Sequence, residues 1–124
     1  PAGAASVIPG LRPAVHADGF VPLVRAERLR NGLRTVRTVR GLRLLLIHEG
    51  DESFVVEDRC PHMGARLARG HVDEGTLWCP KHGFRYDLAS GARVAPASAL
   101  GACEALRCFP VEVREGWVGA RIGD

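Results

Sequence analysis

The chain has 124 residues, enough for one domain that buries about two-thirds of its unfolded surface. Its 46% hydrophobic and 25% charged residues are typical of a globular protein and exclude a disordered or fibrous chain. The net charge of +3 comes from basic residues mixed with acidic ones, without interleaved aromatics, so nucleic-acid binding is not expected. The longest apolar run, residues 44–47, is far too short for a membrane span.

Residues 1–18 are rich in Ala, Gly and Pro without periodicity, which predicts a flexible N-terminal arm. The segment has neither a basic n-region nor a twin-arginine pair, so we expect a cytoplasmic protein. Residues 19–124 form a single predicted domain of short strands, with turns at Gly41, Ser90-Gly91 and Glu115-Gly116. The predicted strands are 20–24, 34–40, 43–48, 53–57, 76–79, 85–87, 92–94, 106–114 and 117–122, with one helical turn at 26–29. This pattern predicts an all-β fold, an antiparallel β-sandwich or small barrel.

Two short motifs carry the chemistry: Cys60-Pro61-His62 and, after sixteen intervening residues, Cys79-Pro80-Lys81-His82. Each offers one thiolate and one imidazole. A 2Fe–2S cluster with two Cys on one iron and two His on the other needs this set of four ligands. A structural zinc site is the alternative, but zinc fingers usually pair Cys with Cys and His with His, which these motifs do not.

The segments CPHMGARL and CPKHGFRYD resemble the Rieske family, and the resemblance covers roughly residues 20–122. It implies one Rieske 2Fe–2S cluster held by Cys60, His62, Cys79 and His82. It also implies an antiparallel insert whose two hairpin loops, within about residues 58–97, clamp the cluster at one tip.

Four further residues are expected around the cluster. Gly64 and Gly83 lack side chains, so their backbone can approach bridging sulfides and donate N–H bonds. Tyr86 matches a family tyrosine that bonds to a ligand thiolate, although a plain core aromatic is the alternative. Pro96 is the candidate for the loop that covers the cluster.

The resemblance also separates branches of the family. Respiratory Rieske proteins carry an extra disulfide across the cluster loops, at positions that are Ala65 and Lys81 here. Their serine donor to a sulfide corresponds to Phe84. Fewer donors stabilise the reduced cluster less, so we expect a potential at the low end of the Rieske range.

Three functions remain open. The favoured one is a monomeric ferredoxin that carries single electrons from a flavoprotein reductase to a terminal ring-hydroxylating oxygenase, and that has no catalytic site of its own. The segments CEAL and FPVEV favour it over the small subunit of an NAD(P)H nitrite reductase. The third, an oxygenase large subunit, needs a second iron site, but His16, His48 and His71 are scattered and have no helical spacing. We expect transient docking of the partners at a mildly basic cluster tip.

Overall fold

The computed structural model of the protein describes residues 12–61, 64–80, 83–95 and 105–123. Within these ranges the chain forms eleven strands and a single 3-10 turn, and no helix is long and apolar enough to cross a bilayer. The elements are β1 Phe20–Arg25, the 3-10 turn Ala26–Arg28, β2 Arg34–Val39, β3 Leu42–Glu49, β4 Glu52–Glu57, β5 Val72–Asp73, β6 Thr76–Trp78, β7 Arg85–Asp87, β8 Arg93–Ala95, β9 Cys108–Phe109, β10 Val111–Arg114 and β11 Trp117–Arg121.

The strands form three antiparallel sheets, with the orders β1-β11-β10, β2-β3-β4-β9 and β5-β6-β7-β8. We call the first two sheets the base, and the third sheet with its flanking loops, residues 58–95, the insert. The chain leaves the base after β4, forms the insert, and returns to pair with β4 through β9. The predicted all-β class is confirmed.

The β2-β3-β4-β9 sheet is the middle layer of the molecule. On one face, Leu44 and Leu46 belong to a buried cluster with side chains of β1 and β11. On the other face, Leu45, Ile47 and Val56 belong to a second cluster with side chains of the insert. Strand β3 is therefore buried on both faces, which explains why its sequence shows an apolar run and no alternation.

Tight turns set the register of the sheets. Residue pairs 40–41, 74–75 and 115–116 each combine a non-glycine residue and a glycine with positive φ, as in the type I′ turns that suit two-residue hairpins. The predicted turns at Gly41, at 115–116 and at 90–91 are confirmed, and the last of these joins β7 to β8.

Two predicted elements differ in detail. The single strand predicted over 106–114 is two strands, because Pro110 offers no N–H for a ladder. Before Pro110, β9 pairs with β4 in the middle sheet, and after it β10 pairs with β11. Strand β5, only two residues long, was not predicted, because two residues cannot show alternation.

Part of the predicted N-terminal arm packs on the base. The Arg12 guanidinium donates to the carbonyl of Val36 at 3.0 Å, and that of Arg37 donates to the carbonyl of Pro13 at 2.9 Å. Val15 packs against the first buried cluster. Residues 12–18 are therefore not a loose arm, and residues 1–11 lie outside the described part of the chain.

Candidate metal centre

Cys60 and Cys79 are the two candidate ligands that the structure describes. Cys60 follows β4 and Cys79 directly follows β6, and their exposed fractions are 0% and 2%. Both belong to the second buried cluster, between the middle sheet and the insert. His62 and His82, the other two candidates, lie outside the described residues, as does Pro96.

The two loops that begin at these cysteines have the same hydrogen-bond pattern. In the first, the Cys60 N–H donates to the Ala65 carbonyl and the Gly64 N–H donates to the Cys60 carbonyl, both at 2.7 Å. In the second, the Cys79 N–H donates to the Phe84 carbonyl at 2.7 Å, and the Gly83 N–H donates to the Cys79 carbonyl at 3.2 Å. Two motifs of different spacing therefore fold into equivalent loops with a cysteine at the same position.

The glycines serve the turn conformation of these loops. Their φ angles are 74° at Gly64 and 67° at Gly83, in the left-handed region that favours glycine. A Cβ at Gly83 would meet no heavy atom within 4 Å, so conformation and not space requires the glycine. The N–H groups that the sequence suggested for sulfides donate instead to the cysteine carbonyls.

The residues present fit an iron–sulfur group or another thiophilic metal. Thiolates are the ligands that iron–sulfur clusters and zinc select, and a thiolate buried without a metal or a cation is unfavourable. Matching loops bring two buried cysteines into one apolar cluster, which supplies half of the four-ligand set expected from the sequence.

Tyr86 stands next to the first of these thiols. Its side chain is fully buried, and its hydroxyl lies 3.7 Å from Cys60 Sγ. Strand β7 fixes this position, because Tyr86 is paired with Leu77 of β6. Tyr86 is thus both a core aromatic and a potential donor to the Cys60 sulfur, the two roles that the sequence left open.

The outer surface of the insert carries arginines. The guanidinium of Arg85 stacks 4.6 Å from the centre of the Trp78 ring, next to the second loop. Arg59, Arg66 and Arg69 are exposed around the first loop and form no ion pair with any described residue. Asp58, which lies beside Arg59 in the sequence, is buried and paired with Arg43, so it does not offset the charge of these exposed arginines.

The remaining candidate groups are accounted for in the fold. His48 is buried and contacts the Ser53 hydroxyl at 2.7 Å through Nδ1, whereas His16 packs edge-on against Phe20 and His71 is exposed. Burial raises the pKa of the half-buried Cys108 thiol, which donates weakly to the carbonyl of Leu88 at 3.5 Å. Cys108 packs against the second buried cluster, while Cys103 lies outside the described residues.

Sequence reasoning missed three residues beside the first loop. Arg34 and Arg43, on β2 and β3, and Asp58, two residues before Cys60, hold the segment that closes this loop. Only the closeness of Asp58 to Cys60 could have drawn attention to it.

Comparison with known proteins agrees with this geometry. The sequence profile described as the Rieske [2Fe-2S] domain matches residues 19–110. The ferredoxin subunit of anthranilate 1,2-dioxygenase from Burkholderia cepacia is 36% identical over 75 residues, which cover 60% of this chain and 65% of that protein. Ferredoxin CarAc of Metapseudomonas resinovorans is 36% identical over 69% of this chain and 77% of its own length.

A larger protein also matches. The vanillate O-demethylase oxygenase subunit of a Pseudomonas strain is 35% identical over 60% of this chain, but the match spans only 23% of that subunit. The chain thus spans less than two-thirds of the length of some of the relatives it matches.

Solved structures show the same fold. The ferredoxin of carbazole 1,9a-dioxygenase from Nocardioides aromaticivorans superposes with a TM-score of 0.67 at 25% identity, over 82% of this chain and 96% of that one. A chain from a complex of reduced oxygenase and oxidised ferredoxin of carbazole 1,9a-dioxygenase gives a TM-score of 0.69 at 27% identity, over 84% and 94%.

Proposed function

Because the chain belongs to the Rieske [2Fe-2S] domain family, we propose that Cys60, His62, Cys79 and His82 hold one 2Fe–2S cluster. The proposed unit is a single Rieske domain over residues 19–124, with its cluster-binding loops within about 58–97. The observation that carries the proposal is the pair of loops with the same hydrogen-bond pattern, each with a buried cysteine at the same position. When bound, such a cluster takes up and releases one electron.

The chain's own residues would hold and tune that group. The two cysteines would bind as thiolates and the two histidines as neutral imidazoles, and the loop hydrogen bonds fix both cysteine backbones. Leu67 and Leu77 are fully buried in the same cluster as the two cysteines, and they would keep water away from the cysteine sulfurs. The Tyr86 hydroxyl would donate to the Cys60 sulfur.

The proposed role is that of a ferredoxin, a monomer that carries single electrons from a flavoprotein reductase to a terminal ring-hydroxylating oxygenase. Three of the similar proteins are named as ferredoxins or ferredoxin subunits, and one of the similar structures comes from an oxygenase–ferredoxin complex. The protein would have no turnover alone. We propose a cytoplasmic location, because a reducing compartment keeps cysteines as thiols that can bind a metal.

A second candidate is the electron-accepting domain of a larger oxygenase subunit. It is favoured by the 35% identity to the vanillate O-demethylase oxygenase subunit. In both cases the domain would carry electrons in the same way, and the difference is whether it diffuses between partners or passes electrons within one chain.

Metal analysis is the first test. Protein prepared without oxygen should contain two irons and two acid-labile sulfides per chain, and His82→Ala should lose or cripple the cluster. The matched control is His71→Ala, an exposed histidine outside the ligand motifs, which should keep full iron. One zinc with no iron in the wild-type protein would overturn the cofactor assignment.

Reconstitution is the second test. The protein alone, given a chemical reductant, should oxidise no aromatic substrate, whereas adding it to a flavoprotein reductase and a separate oxygenase should restore turnover. Substrate oxidation by this chain alone would contradict the carrier role. Nitrite reduction restored only by this chain with a sirohaem subunit would favour the nitrite reductase alternative.

A further inference from the structure

Asp58 carries a charge in an unusual place. Its exposed fraction is 1%, and among the residues that the structure describes it is the one acidic side chain that is buried. A carboxylate taken out of water is costly unless its oxygens are paired and hydrogen-bonded. Its partners therefore indicate what the burial achieves.

The partners of Asp58 join three points of the chain. Oδ1 accepts a hydrogen bond from the Leu67 N–H at 2.6 Å, and Oδ2 accepts one from Arg43 Nε at 3.2 Å. Arg43 also donates from Nη2 to the Asp58 carbonyl at 2.7 Å, and the Asp58 N–H donates to the Arg43 carbonyl at 2.8 Å. One side chain thus links the start of the first loop, its end nine residues later, and strand β3.

A second arginine holds the same loop end. Arg34 Nη1 donates to the carbonyls of Ala68 at 2.8 Å and Gly70 at 2.5 Å, directly after Leu67. The segment 67–70 is therefore fixed to neighbouring strands of the middle sheet, by Arg34 from β2 and by Asp58 with Arg43 from β3. We call Arg34, Arg43 and Asp58 the loop latch.

The second loop has no need of such a latch. It connects β6 to β7, and the pairing of Trp78 with Arg85 closes it by a strand ladder. The first loop leaves β4 of the middle sheet and leads to β5 of the insert, and these two strands lie in different sheets. In the described part of the chain no strand ladder closes the first loop, and the loop latch fixes its end instead.

We propose that Asp58 is a positioning residue that closes the first ligand loop and fixes Cys60 for cluster binding, an inference that rests on the proposed function. Among the described residues, its carboxylate bonds to the Leu67 N–H and to Arg43 and not to Cys60 or Cys79, so it acts through the end of the loop. Loss of the carboxylate frees the loop end and leaves the guanidinium of Arg43 without its buried partner.

The test compares Asp58→Ala and Asp58→Asn with Asp87→Ala in the full chain. Asp87 is the matched control, because its carboxylate also closes a turn of the insert, through the Ser90 N–H at 2.9 Å, but outside the ligand loops. Two quantities are measured: iron release to a chelator, and hydrogen–deuterium exchange of peptides from residues 58–68 and from the base. The g values of the reduced cluster give a spectroscopic readout that a general loss of stability would not move.

Asp58→Ala should release iron about tenfold faster than wild type, the scale expected for losing a hydrogen bond to a charged group. Exchange should rise in residues 58–68 and not in the base, and the g values should shift. Asp58→Asn can still accept a hydrogen bond from the Leu67 N–H, so its iron release and loop exchange should lie between those of the wild type and Asp58→Ala. This variant keeps the test valid if the alanine variant does not fold. Asp87→Ala should match wild type in all three readouts.

Two outcomes would overturn the proposal. Iron release and loop exchange equal to wild type in both Asp58 variants would show that the carboxylate does not position the loop. An equal rise of exchange in loop and base peptides would make Asp58 a general stability residue. If the wild type binds no iron, the proposed function fails separately, and loop exchange in the metal-free protein still decides whether Asp58 closes the loop.

Discussion

Removal of the Tyr86 hydroxyl should lower the reduction potential of the protein. The hydroxyl lies 3.7 Å from Cys60 Sγ, within hydrogen-bond reach of a sulfur atom. A donor to a ligand sulfur stabilises the reduced, more negative state more than the oxidised state. Tyr86→Phe keeps the buried ring and deletes only this donor, so the potential should fall.

The size of the fall follows from the worth of one hydrogen bond. A net contribution of about 0.5–1.5 kcal/mol converts, at about 59 mV per tenfold change for one electron, to a decrease of about 20–60 mV. The long O···S distance favours the lower half of that range. Protein-film voltammetry of both proteins at one pH measures it.

Thr76→Val is the matched control, since it removes a hydroxyl from the same sheet that donates to a backbone carbonyl and not to sulfur. Its potential should equal that of the wild type. An unchanged potential in Tyr86→Phe, with the cluster intact, would show that the hydroxyl does not bond to Cys60 and that Tyr86 is only a core residue. A rise in potential would refute the sign of the argument.

Three more predictions test the surface, the backbone and the termini. Arg66→Glu should slow electron transfer to the partner at low salt, and less so at high salt, because the exposed arginines of the insert would attract an acidic partner. The control is Arg28→Glu on the base, and equal stopped-flow rates for the two variants would contradict the prediction. Gly91→Ala should lower the free energy of unfolding by about 1–3 kcal/mol more than Gly75→Ala, as measured by denaturant unfolding. The two glycines have similar φ angles of 80° and 74°, but of the two only a Cβ at position 91 would overlap a carbonyl oxygen, that of Leu106. The Arg114 guanidinium lowers the pKa of Asp18 to about 2, so the stabilisation from this ion pair is present above the unfolded pKa of about 4 and is lost as pH falls towards 2. In denaturant unfolding, Asp18→Asn should therefore be slightly less stable than the wild type at pH 6, and the two proteins should become equal near pH 2.

Much of the fold could be predicted because the strands follow local rules. The Thr and Val residues of β2, and the X-Gly pairs at the hairpins, are short-range signals that the structure follows. The errors arise where tertiary contacts decide. The change of sheet at Pro110 depends on which partners β4 and β11 offer, and β5 exists only because β6 lies beside it.

The sequence predicts the candidate ligands but not the residues that hold the ligand loops in place. The two motifs, each with one Cys and one His, point to metal chemistry by themselves, and the resemblance to the Rieske family adds the cluster type. The structure describes Cys60 and Cys79, while His62 and His82 stay a prediction. Asp58 looks like any surface carboxylate in the sequence, since its burial depends on Arg43 in a strand fifteen residues earlier. A residue of this kind is found only when the loop and the strand are seen together.

The apolar run at residues 44–47 links the fold to the site. In a two-layer sandwich with one solvent-exposed face, β3 would alternate between apolar and polar residues. Here Leu45 and Ile47 pack on the insert, in the same cluster that holds Cys60 and Cys79, while Leu44 and Leu46 pack on the opposite sheet. The cysteines therefore share a buried cluster with the middle sheet, and the insert does not bury them by itself. A substitution in β3 on the insert side acts on the proposed cluster site as well as on stability, whereas one on the other face acts on stability alone.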